Sequence, residues 1–101
     1  MSQLIEFKGA FIRICPTNPS HLLQSKDRGK SWKLLYDGTD TMNSIMGIAA
    51  DNKIIFLDCN KGFFISKSGI FWAKIKDVKQ LEDLKTDYEI SKTEMERKNY
   101  L

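Results

Sequence analysis

At 101 residues, with 42% hydrophobic and 29% charged side chains, the chain has the length and balance of one soluble domain. Six Phe, three Tyr and two Trp argue against disorder, and no run approaches the ~18 apolar residues of a membrane span. The net charge of +3 conceals an asymmetry, because residues 1–76 carry eleven Lys or Arg against six Asp or Glu, whereas residues 77–101 carry five against seven.

The first twenty residues lack the basic start and apolar stretch of a secretory signal, so the expected location is the cytoplasm or a host cell interior. Four strand-like segments come first, at 4–7, 11–15, 21–25 and 31–36, separated by turn-forming residues. Pro16 and Pro19 remove backbone donors and suit the loop between the second and third. Residues 37–43, Asp-Gly-Thr-Asp-Thr-Met-Asn, read as a polar linker. The pattern then repeats at 44–50, 54–58, 63–66 and 70–75. Trp32 recurs as Trp72, forty positions on, and Ser25 as Ser66, forty-one on. Two units of about forty residues, 4–36 and 44–75, are therefore expected to form four-stranded antiparallel meanders. Ile54, Ile55, Phe56 and Leu57 form a continuous apolar run, as in a strand covered on both faces. Phe63, Phe64, Ile65, Phe71 and Trp72 are expected to extend the same core.

From Asp77 the pattern changes. Asp77 followed by Gln80 has the spacing of a capping box, and Val78, Leu81, Leu84, Tyr88 and Met95 form a thin apolar stripe. A helix is predicted over 77–85, with a break near 86–91, and the stripe suits cover for a sheet better than a coiled coil. The organisation read from the chain is thus a mainly β domain over 1–76 and an amphipathic helical segment over 77–101.

The most informative stretch is Ser25-Lys26-Asp27-Arg28-Gly29-Lys30-Ser31-Trp32. Asp accepts hydrogen bonds from nearby amides and Gly tolerates positive φ, so the stretch predicts a hairpin turn locked by its own side chains. It resembles the Asp-box, or bacterial neuraminidase repeat, whose pattern is Ser-x-Asp-x-Gly-x-x-Trp. Ser25, Asp27, Gly29 and Trp32 occupy its four defining positions. Ser66, Ser68, Gly69 and Trp72 look like a degenerate second copy, one residue shorter, with Ser68 where Asp27 stood. The resemblance implies blade-like units of a β-propeller, with Asp27 accepting two turn amides, Ser25 bracing the hairpin and Trp32 packing between layers. It implies no sialidase activity: such sites resemble an arginine triad, and this chain has Arg13, Arg28 and Arg97, with Arg28 inside the turn. A closed propeller typically needs four to eight blades, and this chain supplies two. Three arrangements are open: three chains completing one ring of six blades, two meanders packed face to face with the terminal helix covering an exposed side, or a remnant that meets a larger partner. The second is preferred, because a blade has no use for an amphipathic segment that can cap a sheet.

Other chemistry is poorly supported. His21 is the single imidazole, and a neighbouring Ser20 does not make a triad. Cys15 and Cys59 have no metal-pair spacing. They are expected as reduced, semi-buried thiols, although Lys61 near Cys59 could lower that thiol's pKa. Asp37, Asp40, Asp51 and Asp58 are turn residues and form no calcium loop. Gly29-Lys30-Ser31 lacks the upstream glycine of a P-loop. The expected function is therefore a non-enzymatic protein-interaction or self-assembly module, without metal or cofactor, engaging a protein partner or its own copy and no membrane. Two alternatives stand beside it. Lys26, Arg28, Lys30 and Lys33 crowd one hairpin and could contact nucleic acid, with Trp32 or Tyr36 stacking on a base. Exposed aromatic rings could instead bind carbohydrate.

Overall fold

Strand β2 (Ala10–Ile14) shows how alternation becomes structure: Ala10, Ile12 and Ile14 are buried, while Phe11 and Arg13 between them are half-buried on the opposite face. In the computed structural model, which describes residues 3–76, it lies between β1 (Leu4–Phe7) and β3 (His21–Ser25), followed by β4 (Lys33–Asp37). These form one four-stranded antiparallel sheet in chain order. A second four-stranded sheet repeats the arrangement with β5 (Ile45–Ala50), β6 (Ile55–Cys59), β7 (Gly62–Ser66) and β8 (Ala73–Lys74). The helix expected over 77–85, with the whole 77–101 segment, lies outside the described residues.

The two meanders are those expected from the sequence, but the strands leaving the long turns start late. The fourth begins at Lys33 rather than residue 31, and the eighth is only Ala73–Lys74 rather than 70–75. In both cases turn side chains capture the backbone first: the Ser31 amide bonds Asp27, and the Ile70 and Phe71 amides bond Ser68. An amide held in a turn cannot also join the ladder.

One core joins the sheets. Phe7, Ile12, Ile14 and Leu22 from the first meet Ile45, Ile48, Ile55, Leu57, Cys59 and Phe64 from the second. Bulges adjust the fit. Leu35 is skipped in the β3–β4 register, packs against this core, and approaches Gly69 of the opposite sheet so closely that a Cβ there would lie 3.0 Å from its Cδ2. Met46 is skipped between β5 and β6, and its carbonyl accepts a 2.9 Å bond from Gln3 Nε2.

The polar linker is more than a spacer. Met42 within it is fully buried in the common core. Its amide donates to the Gly38 carbonyl at 2.8 Å, and Gly38 in turn donates to Ser20 at 2.8 Å. Ile45 then bonds Pro19 at 2.8 Å, so the crossover is tied to the proline loop of the first unit.

Strand β6 is apolar on both faces, as its continuous run predicts. Ile55 and Leu57 face the common core, whereas Phe56 stacks on Phe63 with ring centroids 5.5 Å apart in a second cluster with Ile75. The second sheet therefore has a hydrophobic outer face. The first sheet's outer face mixes Glu6, Phe11, Arg13 and Leu23.

Candidate functional site

The loops after β3 and β7 carry the residues that the sequence singles out. In the first, the Ser25 hydroxyl uses its full hydrogen-bonding capacity. It donates to Asp27 Oδ1 at 2.8 Å and accepts the amides of Gly29 at 2.8 Å and Asp27 at 3.4 Å. Asp27 Oδ1 also accepts the Ser31 amide at 2.8 Å, and its Oδ2 accepts the Ser31 hydroxyl at 2.5 Å. The expected pair of amides on the Asp27 carboxylate is thus divided: the acid takes one amide and two hydroxyls, and Ser25, which is only 1% exposed, takes the other amides. The Ser31 hydroxyl, then its amide, then the Ser25 hydroxyl hold the Asp27 carboxyl down to about 2. Arg28 and Gly29 both have positive φ, 62° and 91°, which turns the chain within this cage.

The second loop keeps the same logic with one residue fewer. Ser66 Oγ accepts the Gly69 amide at 2.7 Å and the Ser68 amide at 3.1 Å. Ser68 Oγ accepts Ile70 at 3.1 Å and Phe71 at 3.3 Å, the work that Asp27 performs for Ser31. Matching Gly29 to Gly69 (φ 88°) and Trp32 to Trp72 leaves Arg28 as the extra residue of the first loop. Lys30 then corresponds to Ile70, and Ser31 to Phe71.

The two tryptophans part company. Trp72 donates its indole N–H to the Gly69 carbonyl at 2.9 Å and meets Tyr36 of the first sheet at 6.0 Å between centroids. Trp32, expected between layers, is instead half-buried under the Arg13 guanidinium, whose carbon lies 4.3 Å from the ring centre. The reason is strand parity: Arg13 alternates with Ile12 and Ile14 and faces away from the common core.

Phe71 is the largest departure from expectation. Read from sequence as core, it is 82% exposed, and Ile70 beside it is 53% exposed. Both lie in the turn fixed by Ser68. With Ile54, Ile65 and Ala73, Phe71 lines an apolar groove of about 410 Å³ at the hairpin end of the second sheet. The comparison between units makes this site visible, since hydrophilic Lys30 and Ser31 are replaced there by large apolar residues.

Lys26, Arg28, Lys30 and Lys33 are all exposed along the first hairpin. A second groove of about 410 Å³ runs between the β1–β2 turn and the two loops, lined by Lys8, Lys26 and Lys67 among others. Lys8 and Lys67 look scattered in sequence and converge only because the sheets stack. Of the proposed base-stacking rings, Trp32 has one face taken by Arg13, while Tyr36 packs on Trp72 and its hydroxyl lies 2.9 Å from Thr41 Oγ1.

His21 Nε2 sits 3.4 Å from Asp37 Oδ1 and 3.3 Å from Asn18 Nδ2. Asp37 also accepts the Thr39 hydroxyl and amide at 2.6 and 3.0 Å, contacts that lower its pKa. Asp51 likewise accepts Lys53 and Ile54 at 2.7 and 2.8 Å, so these aspartates serve their own turns. Among the described residues no three His, Cys, Asp or Glu could together hold a metal ion, and no helix is long and apolar enough to cross a membrane. Both cysteines are free. Burial pushes the Cys59 thiol up to about 12, against the lowering that a nearby lysine suggested. The Thr17 hydroxyl, 3.4 Å from Cys15 Sγ, draws that thiol's pKa down. A colorimetric thiol reagent at neutral pH should therefore modify Cys15 rapidly and Cys59 only after denaturation. Equal native rates would contradict these assignments.

A scan of family models and searches of curated proteins and solved structures find no match to this chain.

Proposed function

We propose that the protein is a non-enzymatic interaction module of the cytoplasm or a host cell interior, built from two Asp-box units that resemble propeller blades. Its groove beside Phe71 takes an apolar side chain from a protein partner or from a second copy of the chain. The observation that carries this reading is the exposure of Phe71, 82%, at the place where the first unit has Ser31. Fully burying a side chain of this size contributes about 1.5–3 kcal/mol, which a folded monomer forgoes by displaying it. The Ser68 cage fixes the backbone beneath the ring, so little ordering entropy is lost on binding.

Phe71→Ser tests the reading with the residue that the first hairpin already carries at this position. Stability should change by no more than about 0.5 kcal/mol, as for an exposed site. Random-peptide display on the parent protein should select sequences with a large apolar anchor, and the variant should lose at least tenfold in their affinity. Sedimentation across a concentration series reads the self-association arm. Parent and variant behaving alike in both assays would remove this function.

Lys8, Lys26 and Lys67 around one groove favour a second reading, in which the two loops hold a nucleic-acid backbone. Neutralising Lys26, Arg28 and Lys30 together should then abolish binding to mixed-sequence RNA and DNA and flatten its salt dependence. A parent protein that fails to bind either polymer at low salt excludes it.

A further inference from the structure

The outer face of the first sheet carries a cation set in an apolar row. Leu4 lies opposite Arg13 between β1 and β2, Arg13 opposite Leu23 between β2 and β3, and Leu23 opposite Leu34 between β3 and β4. Directly paired residues share a face, so these four form one line across the sheet, on the side away from the common core. Leu4 is 44% exposed and Leu34 56% exposed. Between them the Arg13 guanidinium lies over the Trp32 ring. Its Nε is shut off from solvent without a hydrogen-bond partner, and among the described residues no acid forms an ion pair with it. Glu6 stands on the same face, opposite Phe11 and two residues along β2 from Arg13, and does not pair with it.

We propose that this face binds an acidic segment of a protein partner, with one carboxylate on the terminal nitrogens of Arg13 and apolar side chains on Leu4, Leu23 and Leu34. Contact with an indole fixes a guanidinium before a ligand arrives, which lowers the ordering cost of binding. With Nε covered, the two terminal nitrogens remain, and paired N–H···O bonds to one carboxylate are the geometry that arginine favours. Part of the charge is already withdrawn from water in the free protein, so that share of the desolvation cost does not recur on binding. Charge and surroundings choose the occupant. A single cation among leucines suits one carboxylate with apolar neighbours, whereas a nucleic-acid backbone needs several cations and would meet Glu6. A second copy would bring the same sign of charge, since residues 1–76 carry eleven basic against six acidic residues. None of these residues lines the Phe71 groove, so the two sites stand or fall separately.

The experiment selects random displayed peptides on the full chain carrying Phe71→Ser, which removes binders of the groove. The selected sequences should carry Asp or Glu flanked by large apolar residues, and as synthetic peptides they should shift the Trp32 indole N–H resonance. Exchanging the peptide's acid for its amide should weaken binding to the parent face by about tenfold or more. Arg13→Gln in the protein should cost a similar factor, and on that variant the acid and amide peptides should bind alike, which a purely structural role for Arg13 would not produce. Arg13→Lys should fall between, because it keeps the charge and loses the fork. The proposal is overturned if no acidic peptide is selected, if acid and amide peptides bind the parent face equally, or if their ratio survives Arg13→Gln. It is also overturned if mixed-sequence single-stranded DNA displaces the peptides from Trp32, which would give the face to phosphate. A dimer in sedimentation that Arg13→Gln abolishes would likewise replace the acidic partner with a second copy.

Discussion

Ile48→Ala should lower stability by about 2–5 kcal/mol, the range for deleting a fully buried branched aliphatic side chain and leaving a cavity. Ile48 lies in the middle of β5, the strand through which the second sheet meets β1 and β2, and it is fully buried in the cluster that both sheets share. Small domains hold a total of about 5–15 kcal/mol, so this one truncation removes a large share. Leu34→Ala, at an exposed position of β4, should change stability by less than about 0.5 kcal/mol and serves as the control. The two tryptophans make the effect readable by sheet, because Trp32 reports the first hairpin and Trp72 the second. In single-tryptophan variants, urea transitions followed by either fluorophore should coincide and shift together with Ile48→Ala. A Trp32 transition untouched by the substitution would show two independently stable sheets and refute the common core.

What could be read from the sequence was the punctuation. Turn residues between short apolar runs placed all eight strands, because Gly, Asn, Asp and Pro act on the backbone locally and need no tertiary partner. The residues that escaped depend on what lies across the fold. Met42 is a single apolar residue among polar ones and has no periodicity to announce that it enters the core. Phe71 was misassigned in the opposite sense, since hydrophobicity implies burial unless a turn holds the backbone outward. Ser68 supplies that turn; its equivalence to Asp27 was legible in the sequence, but not that its hydroxyl takes the Ile70 and Phe71 amides and so holds the ring outward. Lys8 and Lys67 are 59 positions apart and share a groove only once the sheets are stacked; the Lys8 ammonium lies 3.4 Å from the Lys67 carbonyl. The division of labour between Ser25 and Asp27 was also beyond the pattern, which specifies residue types and not which oxygen receives which amide.

That division leads to a prediction in which the serine outweighs the acid. Ser25→Ala should cost about 1–3 kcal/mol, because it strips a buried hydroxyl and leaves the Gly29 amide without its 2.8 Å acceptor. Asp27→Asn should cost less, since Asp27 is exposed, water can replace its contacts, and one carbonyl oxygen still accepts the Ser31 amide. The two substitutions also separate by pH. The folded carboxyl titrates at about 2, below its ordinary 3.8, so its contribution is fully present above about pH 4 and is lost as pH falls towards 2. The gap between parent and Asp27→Asn should therefore close between about pH 4 and pH 2. Ser66→Ala supplies the internal comparison, because the second loop cages its amides with two serines and holds no carboxylate. The cost of Ser66→Ala should persist across the same range. Urea midpoints at neutral pH and at steps through that acid window decide the matter. An Asp27→Asn gap that stays constant down to about pH 2 would mean that Asp27 is not held ionised by its hairpin, and the cage would then rest on the serines alone.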